Sequence, residues 1–223
     1  MSIIKNDFEK MNVTKIKKSK NNKKLTMITA YDALFAKLFD EIADMILVGD
    51  SLNMSFAGMP DTLSATLDQM IYHTNAVCKG APKAFVILDM PFGTYINENQ
   101  ALQNAVKVYQ QTPAAAVKIE GGKDRAHIIE HLTSNSIAVM GHIGLMPQYV
   151  RSEGGYKVRG KTPEDTEQLI QDAIAVEKAG AFAVVVEGVM SDAALKITQA
   201  INIPVIGIGA GNVTDGQVLV WSD

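Results

Sequence analysis

The sequence predicts an α/β chain folded as one (β/α)8 TIM barrel spanning residues 1–223, truncated after the presumed eighth strand, and three features point to this. Apolar, β-branched runs alternate with helical periodicity at intervals of roughly 20 to 40 residues, with no hairpin signal between them. That alternation means a parallel sheet covered by helices. The runs number about eight, the count that closes a barrel. Five of them (45–51, 84–89, 116–121, 138–142 and 183–188) end on polar or titratable side chains, spread over most of the chain. An open doubly wound sheet would concentrate such residues at one switch point. A barrel gathers every strand end at one rim, so five separated tips become one site.

Residues 1–24 form a polar leader in which Lys15, Lys17, Lys18, Lys20, Lys23 and Lys24 cluster. Without interleaved aromatics it reads as a solvated segment rather than a polyanion contact, with Ile3, Ile4 and Phe8 expected to cover one end of the barrel. A β-rich run over 25–31 follows, and Asp32 caps an amphipathic helix through Phe39. After the central strand comes a loop containing Gly58, Met59 and Pro60, then a helix over 67–79 stopped by Gly80, Ala81 and Pro82. The third strand reaches Asp89. A helix over 98–110 leads to the strand ending in Lys118, Ile119 and Glu120.

Helix 124–134 and strand 137–142 make the next pair. The long connection 144–161 carries Gly154, Gly155 and Gly160 among charged residues, which suggests a mobile flap over the rim. Thr162 and Pro163 open a helix to about residue 179, with acidic residues in its first turn and Gly180 after its end. Strand 182–187, helix 191–200 and strand 204–209 follow, and 218–221 reads as the eighth strand.

A hydrophobic content of 47% over this length builds one sizeable core, and a second domain is not required. The formal charge of -3 gives no reason to expect a nucleic-acid or membrane-binding face. The single cysteine, Cys78, excludes an intramolecular disulfide framework and reads as a small hydrophobe on a helix. No apolar run reaches the roughly 18 residues of a membrane span, and no secretory signal is recognisable. These features fit a cytoplasmic protein.

Asp50 and Asp89 end neighbouring strands, which in a barrel brings two carboxylates together. They repel unless a proton or a cation relieves them. A hard divalent ion such as magnesium, held by one or two carboxylates with water and substrate oxygens completing its shell, is the usual solution, and Glu120 is a third candidate ligand. Histidine and cysteine are too sparse for a structural zinc site. Lys118 and Glu120 stand two apart on one strand and leave it on the same face. Inside the lumen the lysine must be paired, either to position an anionic substrate or as a structural salt bridge. Glu187 follows consecutive valines, where desolvation is expected to raise its pKa and suit it to accept a proton; capping the next helix is the alternative. His142 is placed for hydrogen bonds to its neighbours or to substrate. The glycine run Gly207, Gly209 and Gly211 departs from the dinucleotide fingerprint, leaving close backbone packing or a phosphate contact open. Together these parts specify metal-assisted proton removal next to the carbonyl of a 2-oxo acid.

The ordered motifs Thr29-Ala30-Tyr31-Asp32, Val48-Gly49-Asp50-Ser51, Tyr72-His73-Thr74, Asp89-Met90-Pro91-Phe92, Val117-Lys118-Ile119-Glu120-Gly121-Gly122, Gly141-His142-Ile143-Gly144-Leu145, Gly154-Gly155-Tyr156-Lys157-Val158 and Ile203 to Gly211 run from about residue 25 to the end. In these the chain resembles the ketopantoate hydroxymethyltransferase family. The resemblance implies a magnesium-dependent barrel transferase of pantothenate synthesis, moving a one-carbon unit from 5,10-methylenetetrahydrofolate to 3-methyl-2-oxobutanoate and giving 2-dehydropantoate. It implies Asp50 and Asp89 as metal ligands with Glu120 as a further one. It also implies contacts from Asp50, Ser51, Asp89 and Lys118 to the oxo acid, Glu187 as proton acceptor, and a large homo-oligomer, a decamer in the family.

The sequence ends at Asp223, whereas family members continue into a helical segment used in packing. The expectation is that an apolar barrel face is exposed unless another chain covers it. Two other readings remain: a magnesium barrel enzyme of the phosphoenolpyruvate mutase and isocitrate lyase type, or an inactive remnant kept as a subunit or binding module. The former group typically relies on a loop cysteine in a Lys-Lys-Cys-Gly-like setting, which Cys78 lacks.

Overall fold

In the computed structural model, which describes residues 10–222, eight parallel strands close into a barrel in sequence order. They are β1 (Leu25–Thr29), β2 (Met45–Val48), β3 (Phe85–Asp89), β4 (Ala116–Glu120), β5 (Val139–Gly144), β6 (Ala183–Glu187), β7 (Val205–Ile208) and β8 (Gly216–Leu219). Closure comes from β8 pairing with β1, Gly216 opposite Leu25 and Val218 opposite Met27. Helices α1 (Val13–Lys18), α2 (Ala33–Phe39), α3 (Leu52–Ser55), α4 (Leu67–Gly80), α5 (Glu98–Gln111), α6 (Ala126–Ser134), α7 (Pro163–Lys178) and α8 (Ser191–Ala200) complete the fold. The long helices start where capping chemistry predicts. Asp32 accepts from the amides of Leu34 and Phe35, Thr66 and Gln69 form a capping box, and Thr162 accepts from the Asp165 amide ahead of Pro163.

The strand period of two sorts the core into two compartments. Phe85 and Ile87 of β3, Ala116 of β4, Met140 of β5 and Val185 of β6 point into the lumen. Val86, Leu88, Val117, Val139 and Val184, one residue along, point outward against α4 to α8. Lumen packing includes Phe85 and Phe182 edge to face at 5.5 Å between centroids. The lumen is therefore filled at its base, and only side chains near the carboxyl ends are free to do chemistry.

Two expectations are corrected. The leader is not simply solvated, because α1 plugs the amino-terminal end of the barrel. Ile16 is fully buried among the lumen residues, a burial that contributes on the order of 1.5–3 kcal/mol. Lys20 reaches Asp215 at 2.8 Å and the Thr198 carbonyl at 2.6 Å. Ile3, Ile4 and Phe8 lie outside the described residues. The eighth strand sits two residues earlier than expected. Trp221 leaves the sheet to stack on Phe35 of α2, centroids 4.1 Å apart, so only 216–219 are left to pair with β1 and β7.

Two glycines of the run at the end of β7 are closely packed. A Cβ at Gly207 would stand 2.8 Å from Thr214 Oγ1, and Gly211 takes a positive φ of 78° beside Ser191. Among the described residues no helix is long and apolar enough to cross a membrane.

Candidate active site at the carboxyl rim

The strand ends converge on a cavity of about 260 Å³. Its polar wall is Asp50, Ser51, Asp89, Lys118, Glu120, His142 and Glu187, and Leu47, Val185, Ile208, Val218 and Val220 form an apolar wall. All six residues singled out in the sequence for catalysis, substrate or metal are thus brought to one cavity. Register explains why: Asp89 pairs directly with Lys118, and Glu120 with His142, on adjacent strands. Side chains at matched register share the same level of the lumen.

The Lys118 ammonium is fully enclosed. Its nearest partner is Asp89 Oδ1 at 2.8 Å, not its strand neighbour Glu120, whose Oε1 is 3.9 Å away. Burial alone would depress its pKa, but the charges of Asp89, Glu120 and Asp50 more than reverse this, so the lysine stays protonated. His142 Nδ1 lies 3.0 Å from Lys118 Nζ. An ammonium only donates, so Nδ1 accepts and the proton of the neutral ring sits on Nε2. That atom lies 3.3 Å from Glu187 Oε2. Burial, reinforced by the Lys118 charge, lowers the His142 pKa and keeps the ring neutral. A chain Asp89–Lys118–His142–Glu187 therefore runs across the lumen from β3 to β6.

Glu187 differs from expectation in one respect. Its side chain is 24% exposed, so its carboxylate stands at the mouth of the cavity rather than sealed among the valines. Its place at the last position of β6 lifts it clear of the layer formed by Val185. The carboxylate thus faces both His142 and the cavity.

Asp50 lies just past β2, and its amide N–H points to Asp89 Oδ2 at 3.4 Å. Burial, with the negative charge of Asp89 added, raises its pKa to about 7. Glu120 is also pushed up, by burial against the opposing pull of Lys118. Three buried carboxylates thus face one buried ammonium. Ionising all three leaves two negative charges unmatched in a low-dielectric setting, the deficit that a divalent cation would fill. Among the described residues no three histidine, cysteine, aspartate or glutamate side chains already stand as a ready ligand set. Asp50 and Asp89 are the carboxylates that could hold such an ion. Glu120 stands behind them, its Oε2 accepting the Gln148 amide N–H at 3.1 Å.

Four residues of this site were not evident from the sequence. Gln148 is buried in the long connection, and Tyr95 donates its hydroxyl proton to Gln148 Oε1. Tyr31 places its hydroxyl 2.9 Å from Ser51 Oγ. Tyr156 comes over the mouth from the glycine-rich segment, its hydroxyl directed at Met54 Sδ at 3.9 Å. Only Tyr156 carried a signal, the flanking glycines that mark a segment crossing the rim. That segment is tied down by Arg151 on Asp61 at 2.8 Å and Arg159 on Asp165 at 2.6 Å. His73 is structural, its Nδ1 2.6 Å from the Tyr31 carbonyl. Cys78 is well away from the cavity on α4, and burial pushes its thiol up to about 11, which makes it inert at neutral pH.

Residues 10–223 match the family model described as ketopantoate hydroxymethyltransferase. A 3-methyl-2-oxobutanoate hydroxymethyltransferase of Aliarcobacter butzleri is 83% identical over 223 residues, covering 100% of this chain and 83% of that relative. One of the same name from a Nitratiruptor species is 65% identical over 211 residues, covering 95% of this chain and 80% of its own. In fold the chain is similar to phosphoenolpyruvate phosphomutase from Streptomyces platensis subsp. rosaceus, with a TM-score of 0.69 at 16% identity over 94% of this chain and 80% of that one. The chain belongs to the ketopantoate hydroxymethyltransferase family.

Proposed function

We propose that this protein transfers a hydroxymethyl group from 5,10-methylenetetrahydrofolate to 3-methyl-2-oxobutanoate, giving 2-dehydropantoate at the entry to pantothenate synthesis. The observation that carries this reading is the juxtaposition, in one cavity, of the Asp50–Asp89 pair, the buried Lys118 ammonium and the Glu187 carboxylate opposite them. Family membership supports the choice of oxo acid.

Asp50 and Asp89 would hold magnesium, with Glu120 as the further acidic group. Bound there, the ion supplies electrophilic polarisation of the keto and carboxylate oxygens of the oxo acid. Lys118 adds a fixed positive charge where negative charge develops on the keto oxygen, and Ser51 offers a hydroxyl at the same end of the cavity. Leu47, Val185, Ile208 and Val218 provide an apolar surface for the isopropyl group of the substrate. Glu187 takes the proton from the third carbon of the oxo acid. That carbon then forms its new bond to the one-carbon unit of the folate as both carbon–nitrogen bonds of that unit break; water supplies the hydroxyl oxygen of the product, and the proton from the third carbon and one from the water end on the two freed folate nitrogens. His142 turns its Nε2–H toward the Glu187 carboxylate 3.3 Å away, while Lys118 fixes the tautomer from the other side.

Incubation with both substrates and magnesium is expected to yield 2-dehydropantoate and tetrahydrofolate in equal amounts, read by mass spectrometry. Consumption of the oxo acid without folate turnover would reject the assignment and favour a carbon–carbon lyase of the isocitrate lyase type. The inertness of Cys78 weighs against that second reading.

We also infer a homo-oligomer in the cytoplasm. Leu34 and Leu38 on the outer face of α2 are 69% and 60% exposed, one helical turn apart, as on a surface that meets another protomer. Analytical ultracentrifugation giving a single-protomer mass at micromolar concentration would contradict it.

A further inference from the structure

Gln148 is the only residue that contacts the ends of β2, β3 and β4 together among the hydrogen bonds described. It is buried, on the 3-10 turn Pro147–Tyr149 that follows β5. Its Nε2 donates to Asp50 Oδ2 at 2.8 Å and to the Met90 carbonyl at 3.0 Å. Its backbone N–H donates to Glu120 Oε2 at 3.1 Å, and its Oε1 accepts from the Tyr95 hydroxyl. Both amide donors and the carbonyl oxygen are thereby used.

The orientation of this amide is fixed by chemistry. Turning it over would set Oε1 against a carboxylate and a carbonyl, two acceptors facing an acceptor, and would leave the NH2 group on Tyr95. The Tyr95 hydroxyl, itself buried, locks the productive orientation from behind. The consequence falls on Asp50. With Oδ2 held by Gln148, the carboxylate is restrained in rotation. Glu120 is pinned in the same way through one oxygen, by the backbone of the same residue. A single loop residue therefore aims two of the three acidic side chains, and its side chain leaves the lumen charge unchanged because it is neutral.

We propose that Gln148 is the positioning residue of the acidic site, orienting Asp50 and Glu120 for a divalent cation, with Tyr95 holding Gln148 in turn. This rests on the reading of Asp50 and Asp89 as the cation pair. Outer partners that orient acidic ligands typically change metal affinity roughly 10- to 100-fold when removed.

The test is calorimetric titration of magnesium into the substrate-free protein, comparing wild type with Gln148→Met and Tyr95→Phe. Methionine keeps the volume of the side chain and leaves the backbone N–H to Glu120 in place, so it removes only the amide. Gln148→Met is expected to weaken magnesium by about 10-fold, and the Michaelis constant for the oxo acid should rise with it at subsaturating magnesium. Excess magnesium should restore most of kcat, which a merely unfolded or misfolded site would not permit. Tyr95→Phe should weaken magnesium measurably but by a smaller factor than Gln148→Met, because the amide donors remain but lose their lock. If Gln148→Met does not fold, Tyr95→Phe decides alone: weaker binding sustains the proposal and unchanged binding overturns it. Magnesium binding by a folded Gln148→Met at wild-type strength overturns it outright. A wild-type protein that binds no magnesium would instead remove the reading beneath it, which separates the two failures.

Discussion

Replacing either Asp50 or Asp89 by alanine is expected to abolish magnesium-dependent binding of 3-methyl-2-oxobutanoate, a loss of roughly two orders of magnitude or more since a first-rank ligand matters at least as much as its supports. Calorimetric titration reads it directly, and an unchanged isotherm would reject the cation role. The two variants should part company in stability. Asp50 is a buried carboxylate beside another, so its removal relieves repulsion and desolvation, and the metal-free protein should remain folded. Asp89 is the nearest counter-ion of a fully enclosed ammonium. Removing one partner of such a pair costs about 3–5 kcal/mol, so Asp89→Ala should melt at lower temperature than Asp50→Ala. Equal melting temperatures would mean that Lys118 is compensated chiefly by Glu120.

Glu187→Gln should bind the oxo acid almost as well as wild type and lose the exchange of the third-carbon proton into deuterated water. Glutamine matches the shape of glutamate but has no basic carboxylate. Loss of a general base typically costs about 10²- to 10⁴-fold. Exchange measured by proton NMR before folate is added isolates this step from the carbon–carbon bond formation. Exchange persisting at the wild-type rate would move the base to another group. Lost exchange together with lost binding would make Glu187 a binding residue instead.

The strand ends were the most legible part of the chain, for a physical reason. Inward and outward positions alternate, so a titratable residue after an apolar run marks the depth at which the lumen stops being packed. Asp89, Lys118, Glu120 and Glu187 were all placed by that rule, and Asp32 and Thr162 by capping chemistry. The partner of Lys118 was not, because pairing between strands depends on register, and the two-residue spacing on β4 pointed to Glu120 rather than Asp89. The exposure of Glu187 was misjudged for a similar reason: the valines before it describe the layer below, not the rim. Ile16 escaped notice because one apolar residue in a six-residue helix makes no periodic signal. Gln148 was hidden most completely. A neutral amide in a long connection looks like surface loop, and its role exists only once β2, β3 and β4 are brought around it.

All of the chemistry proposed depends on the acidic pair at the ends of β2 and β3 holding a divalent ion during turnover. The most direct check is the rate of methylenetetrahydrofolate consumption, dependent on the oxo acid, in protein stripped with a chelator and then titrated with magnesium. The expected result is no consumption after stripping and full recovery on titration. Undiminished consumption by the metal-free protein would contradict the account.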